Sequence, residues 1–300
     1  MSRSDIFQEE VNFLNGLSNA QKAVLIDKLN LASEIPGTIY FVDGTNGDDS
    51  NDGLLWTSAY ASINGALDNG SAGDRFYLAP GDYDEGEEVA ITLDDISVIG
   101  SGDFNRNVSL LLSDTASHHL ITVNANNVKL VGLGLTQTKD TYDAIRIAST
   151  VSSYKTRISG CRFDGYGQGE YAVHTGTTYD SPDVVVDNCV FRSWQTACIY
   201  ANATRDIYKN NIFLTTAAKI GINYVPTTGS RPDGLILDNR FLTTDSTSAV
   251  GVSLTGTPTA GTLMIDGNKF VNFADDDHCI SARTGYTGLN YLGVTAIPIT

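Results

Sequence analysis

The sequence predicts an all-β solenoid, a chain of short strands wound into coils that stack along one axis, preceded by a short α-helical segment. Phe163, Phe191, Phe213, Phe241 and Phe270 each close a six-residue phrase and recur at intervals of 28, 22, 28 and 29 residues. A period in the twenties marks stacked repeats. The third residue of each phrase is Gly160, Asn188, Asn210, Asp238 or Gly267, types that accept the left-handed backbone of a tight corner. A second short apolar strand follows every phrase, at Ala172 and Val173, Cys198 and Ile199, Ile220 to Ile222, Val250 to Val252, and Cys279 and Ile280.

The elements follow in order. Residues 1–37 lie outside the repeat and read as two short helices. Ile6, Phe7, Val11 and Leu14 share a helical face that ends at Gly16, and a capping box from Ser18 to Gln21 opens a second stretch with Leu25 and Leu29. Helices this short are marginal alone. They read as an anchor that docks on another protein or on a second copy, or as a cap over the open end of the coils.

Residues 38–283 form the solenoid, with seven to eight coils expected from residue 76 onward. Leu130 to Leu135 is a degenerate copy of the phrase. Each phrase opens on an inward apolar residue and ends on an inward Phe, whose burial contributes roughly 1.5–3 kcal/mol. The fourth position runs Cys161, Cys189, Asn211, Asn239, Asn268, which predicts an asparagine ladder, with buried thiols standing in for Asn on two coils. Four cysteines in 300 residues do not make a disulfide framework. Residues 284–300 carry no charged side chain and read as a tail laid on a surface.

Residues 40–100 add a pattern that resembles the N-terminal signature of the pectate-lyase-like superfamily of right-handed parallel β-helices. It comprises Tyr40 to Asp43, the run Gly47 to Gly53, Ala59 to Ile63 leading an amphipathic stretch to Leu67, Gly73 and Asp74, and Phe76 to Tyr83. With the Phe ladder, the resemblance spans about residues 38 to 283. It implies the fold and leaves function open, because this scaffold hosts lyases, hydrolases, epimerases, esterases and non-catalytic virion parts.

Composition narrows the partners. A formal net charge of −16 argues against nucleic-acid and anionic-membrane surfaces, and against an anionic polysaccharide unless basic residues gather locally. No signal peptide is expected, so synthesis in a host cytoplasm without secretion is the expectation.

Catalytic motifs of the fold were sought by residue. Asp275 to Ser281 resembles the paired-Asp element of its polygalacturonate hydrolases, but the Gly-His-Gly and Arg-Ile-Lys partners are absent. Catalysis by Asp276 and Asp277 is not expected. Arg146, Arg157, Arg162 and Arg192 near Asp164 and Asp187 echo a lyase constellation and read as solvated outward charge. His118, His119, His174 and His278 have no carboxylate at metal-ligand spacing and read as ordinary loop histidines.

Asp48 and Asp52 match the early positions of a calcium loop, but Ala59 stands where the bidentate Glu belongs. A turn bonded through its own Asp side chains is the expected arrangement, with no metal and no other cofactor. Leu214, Leu242 and Val271, one residue after the ladder Phe, and Trp194 and Phe273, three after, read as an outward apolar stripe. That stripe fits a homotrimer interface, with a sugar-stacking platform as the alternative. The combined expectation is a non-enzymatic virion protein of a tailed-phage-like particle, a homotrimeric spike or head decoration attached through residues 1–37 to other virion proteins. The alternatives are a carbohydrate-active enzyme, namely a polysaccharide lyase, glycoside hydrolase or tailspike depolymerase, and a glycan-binding module on a host surface.

Overall fold

The computed structural model describes residues 37–100, 108–111, 117–147, 155–176, 183–202, 205–216, 218–225, 234–245, 247–255, 263–281, 289–292 and 295–298. The attachment candidates Ile6, Phe7, Val11, Leu14, Leu25 and Leu29 lie outside the described residues. The solenoid unit runs from Ile39 to Thr300.

Three sheets line this unit, of nine, ten and eight strands among the described residues. One coil shows the plan. Val185–Asp187 belongs to the first sheet, Val190–Arg192 to the second and Ala197–Ala201 to the third, and the next coil repeats it with Ile207–Lys209, Ile212–Thr215 and Ile220–Tyr224. From Arg75 to Ser281 eight such coils stack in parallel. This is the parallel β-helix that the repeat implies.

Register follows the Phe ladder. Phe163, Phe191, Phe213, Phe241 and Phe270 pair in consecutive strands. Their ring centroids lie 4.8, 4.9, 4.7 and 4.9 Å apart with planes within 8° of parallel. The single 22-residue interval leaves this register intact because the shortening falls in the connections, two residues between the second and third sheets and four between the third and the first. Opposite the rings stands a column of small residues, Ala172, Cys198, Gly221, Gly251 and Cys279. A Cβ on Gly251 would lie 2.4 Å from the Phe270 ring, so the stack requires a side chain smaller than a methyl group there.

Every corner residue named above takes positive φ: 62° at Gly160, 55° at Asn188, 57° at Asn210, 53° at Asp238 and 68° at Gly267. The next residue seals the corner. Asn239 Oδ1 accepts from the Asn211 backbone N–H at 3.0 Å and from its amide at 3.1 Å, while the Asn239 amide donates to Tyr208 O at 2.8 Å. Asn268 repeats the arrangement one coil on. Where Cys189 replaces Asn, its Sγ receives the Cys161 N–H at 3.4 Å, a weaker bond that keeps the column continuous.

The first coil is closed by the helix Ile63–Asp68, which buries Ile63, Ala66 and Leu67. Ser62 Oγ caps it by accepting from Gly65 N at 2.9 Å, and the Glu85 carboxylate takes the N–H groups of Ile63 and Asn64 at 2.8 and 3.0 Å. At the other end, strands Leu289–Leu292 and Thr295–Pro298 join the second sheet, the former parallel to Lys269–Val271 and the latter antiparallel to the former. Within the segment read as a tail, these two strands thus extend the second sheet. The last Phe-bearing strand would otherwise leave its backbone groups unpaired along one edge.

Candidate functional site

The residues singled out in the sequence fall in different places. Leu214, Leu242 and Val271 stand in register on the outer face of the second sheet and are half-buried. Trp194 and Phe273, expected beside them, are inside the chain, 1% and 6% exposed. The reason is local: Ser193 and Asn272 take positive φ of 55° and 65°, which breaks strand alternation and turns the following side chain inward. Phe273 meets Phe270 edge-on at 5.7 Å. Trp194 covers Gly165 and Gly169, where a Cβ would lie 2.8 and 2.5 Å from its ring.

Asp48 and Asp52 spend their oxygens on their own turn. Asp48 Oδ1 accepts from Ser50 N and Oγ at 2.9 and 2.8 Å, and Asp52 Oδ1 from Leu54 N and Ser58 Oγ at 3.1 and 2.7 Å. Among the described residues no three His, Cys, Asp or Glu side chains cluster as metal ligands. Asp276 and Asp277 lie in the single-turn helix Asp276–Cys279. Neighbouring Asp275 is committed to His278, whose Nδ1 lies 2.6 Å from Asp275 Oδ1. Arg157 pairs with Asp187 at 2.8 Å.

The third sheet assembles a constellation that sequence reading missed. Its inward residues Ile121, Ile145, Val173 and Ile199 are buried, and alternation places Thr122, Arg146, His174 and Tyr200 in one outward column. Asp143, two residues before its strand, has a side chain only 1% exposed. Its Oδ2 lies 3.0 Å from His174 Nδ1, 3.5 Å from His119 Nδ1 and 3.6 Å from Arg146 Nη1. Asp143 Oδ1 and His174 Nε2 have no hydrogen-bond partner among the described residues.

The proton positions follow from these contacts. His174 Nδ1 faces the carboxylate, and its Nε2 is buried without a hydrogen-bond partner among the described residues. His119 Nδ1 accepts the Asp143 backbone N–H at 2.9 Å, so the proton of a neutral His119 sits on Nε2. That nitrogen faces Arg146 Nη1 at 3.1 Å, donor against donor. Burial pushes the His119 pKa down, with the Asp143 charge opposing it, so the ring stays neutral near pH 7. Arg146 thus has the Asp143 carboxylate at 3.6 Å as its anionic partner here, and its side chain, about one-third exposed, has donors left for an anion from outside.

Aromatic rings frame the group. Tyr171 and Tyr200 lie 5.1 and 4.8 Å from the His174 ring, and Tyr142 lies 5.6 Å from His119. Burial, followed by the charge of Glu170, raises the Tyr171 pKa, which keeps its hydroxyl protonated. One coil away, fully buried Asp206 accepts from Tyr208 Oη at 2.5 Å, Thr175 Oγ1 at 3.1 Å and Val184 N at 3.2 Å, and burial raises its pKa to about 7.

A separate open groove of about 500 Å³ is lined by Asp95, Asn126, Asn127, Lys155, Asp183 and Arg205. Its carboxylates are taken up locally: Asn127 donates to Asp95 at 2.8 Å, and Arg205 holds Asp183 through two bonds of 2.9 and 3.1 Å. It lacks an acid–base pair of the kind Asp143 and His174 make. The signal for that pair was present in the sequence as phase: Arg146, His174 and Tyr200 recur at one-coil intervals of 28 and 26 residues.

No protein-family model and no curated protein sequence matches the chain. Solved structures do. A pectin methylesterase from Aspergillus niger matches at a TM-score of 0.56 and 14% identity, over 85% of this chain and 84% of that one. A rhamnogalacturonan lyase matches at 0.52 and 13%, over 79% and 74%. A GH136 lacto-N-biosidase from Eubacterium ramulus matches at 0.50 and 11%, over 84% of this chain and 59% of that one. The likeness is one of fold, the parallel β-helix. The expectation of a non-enzymatic chain is corrected by these neighbours, an esterase, a lyase and a glycosidase that all act on carbohydrate. Absence of one hydrolase motif carried too much weight in that expectation, because the scaffold supports several unrelated catalytic sets.

Proposed function

We propose that the chain is a carbohydrate-active enzyme that cleaves an anionic glycan by β-elimination at the Asp143–His174–Arg146 site. The observation that carries this reading is the 3.0 Å contact between Asp143 Oδ2 and His174 Nδ1 beside the partly exposed side chain of Arg146. Asp143 orients the imidazole, and His174 Nε2, buried here beside the rings of Tyr171 and Tyr200, takes the proton on the carbon next to a uronate carboxylate once those rings turn aside to admit the sugar. Arg146 binds that carboxylate and stabilises the charge that develops on it. The electron pair forms the new C=C bond as the glycosidic C–O bond breaks, and Tyr171, its hydroxyl kept protonated by burial, supplies the proton to the leaving oxygen.

Hydrolysis fits less well, because it uses two carboxyl groups flanking the scissile bond and Asp143 is sealed from solvent and bonded to His174. The virion placement expected from the sequence rests on residues 1–37, and the proposal concerns the solenoid.

The test is incubation of the full chain with polygalacturonate, methyl-esterified pectin, rhamnogalacturonan and uronate-containing bacterial capsules. Unsaturated uronate is read by ultraviolet absorbance and reducing ends by a colorimetric assay. Matched unsaturated and reducing ends are expected, abolished by His174→Ala, with Arg146→Lys lowering kcat as well as raising KM. Reducing ends without unsaturation, or activity that survives His174→Ala, would overturn the assignment.

A further inference from the structure

Two apolar patches on the solenoid carry charged rims of opposite sign. The first follows the opening strand, where Leu54, Leu55 and Trp56 are 48%, 62% and 45% exposed. It is a firm surface: the Trp56 ring lies 4.5 Å from Phe41, and Ser58 Oγ ties the turn to Asp52 at 2.7 Å. Asp48, Asp49 and Asp52 flank it, and residues 39–100 hold thirteen Asp and Glu against the single Arg75. Thirteen acids less one Arg leave this stretch at −12 of the chain's formal −16.

The second patch is the outer face of the second sheet. Ile212, 37% exposed, adjoins Leu214, Leu242 and Val271 on neighbouring strands. Arg192, Arg240 and Lys269 are exposed on the same face, and none makes an ion pair among the described residues. Three uncommitted cations around an apolar strip are conspicuous in a chain of −16.

Each patch is an unfavourable exposure alone, and apolar area gains its roughly 25 cal/mol per Å² only when another surface covers it. The rims make the two patches complementary, acid against base. We infer that a second copy of this chain is the partner, with the loop around Leu55 of one copy seated on the strip around Leu242 of the next. The contact joins unlike patches, so it is heterologous and closes into a ring or extends as a filament. It keeps Leu214, Leu242 and Val271 at an interface but replaces a like-to-like stripe with a face that needs an acidic partner.

The geometry makes an unusual demand that a like-to-like interface does not. Leu55→Asp destroys one face and leaves the other, and Leu242→Asp does the reverse. In sedimentation and native mass spectrometry at micromolar concentration, the wild-type chain is expected to associate, and to dissociate as salt screens the rims. Each variant alone is expected to be monomeric. Mixed in equal amounts, they should form a one-to-one dimer and nothing larger, since only one complementary pair of faces survives. A melt checks that both variants fold, and Arg240→Glu replaces Leu242→Asp if the latter does not. A wild-type monomer at every salt concentration, association that survives both substitutions, or a mixture that stays monomeric would each overturn the inference.

Discussion

The second and third sheets of this solenoid use the same coil spacing in opposite ways. In the second sheet one residue type stacks on itself, five Phe in register with centroids 4.7–4.9 Å apart. In the third sheet the outward column changes at every level, from Thr122 to Arg146, His174 and Tyr200. Repetition of one side chain stabilises, because each level offers its neighbour an identical surface to pack against. A varied column at fixed phase brings unlike groups within hydrogen-bond reach, which is what acid–base chemistry needs. In a solenoid, then, conserved phase with changing identity is where a site is to be sought.

The largest effect expected from breaking this contrast is in the ladder. Phe213→Ala removes a ring packed between Phe191 and Phe241 and should lower stability by roughly 3–5 kcal/mol through the cavity it leaves. Urea unfolding checks it, and a loss under about 1 kcal/mol would place Phe213 outside the cooperative core.

Asp206 tests the space between the two regions, since its partner Thr175 follows His174 in the same strand. Burial raises its folded pKa from 3.8 to about 7, so the native state holds a proton that the unfolded chain has released. Its contribution is therefore present below about pH 4 and is lost as pH rises toward 7, at up to about 1.4 kcal/mol per unit. Denaturant midpoints across that window should fall with pH in the wild type and flatten in Asp206→Asn. An unchanged slope in the variant would mean that Asp206 is ionised throughout.

The smallest stability effect is expected in the outward column, where the effect on turnover is the greatest. His174→Asn should shift stability by no more than about 1 kcal/mol, since one hydrogen bond is exchanged for another, while elimination is lost. A His174→Asn variant as unstable as Phe213→Ala would make the column part of the core and remove the contrast.

Much of this was legible in the residues. The five Phe, the corner residues at Gly160, Asn188, Asn210, Asp238 and Gly267, and the run of Asn211, Asn239 and Asn268 gave the coil, its corner and its register, because each is a local requirement of one strand or turn. The amphipathic stretch leading to Leu67 was legible too, and it forms the helix Ile63–Asp68, whose Ser62 cap only the structure showed. The site was not. Asp143 and His174 are 31 residues apart, and that separation becomes a hydrogen bond only once the loop between them is closed around one coil. The direction of Trp194 and Phe273 was hidden as well, since the left-handed residues before them, Ser193 and Asn272, lie outside the repeated corner position.

By itself, the sequence determined which side chains stack, because repetition forces identical residues onto one another wherever a single coil length is kept. Only the tertiary structure decided which unlike residues meet, because that depends on the phase of each outward position within its coil and on how the loops absorb the differences in length. The one-coil spacing of Arg146, His174 and Tyr200 was in the sequence, but the Asp143 carboxylate beside His174, His119 and Arg146 is a consequence of winding.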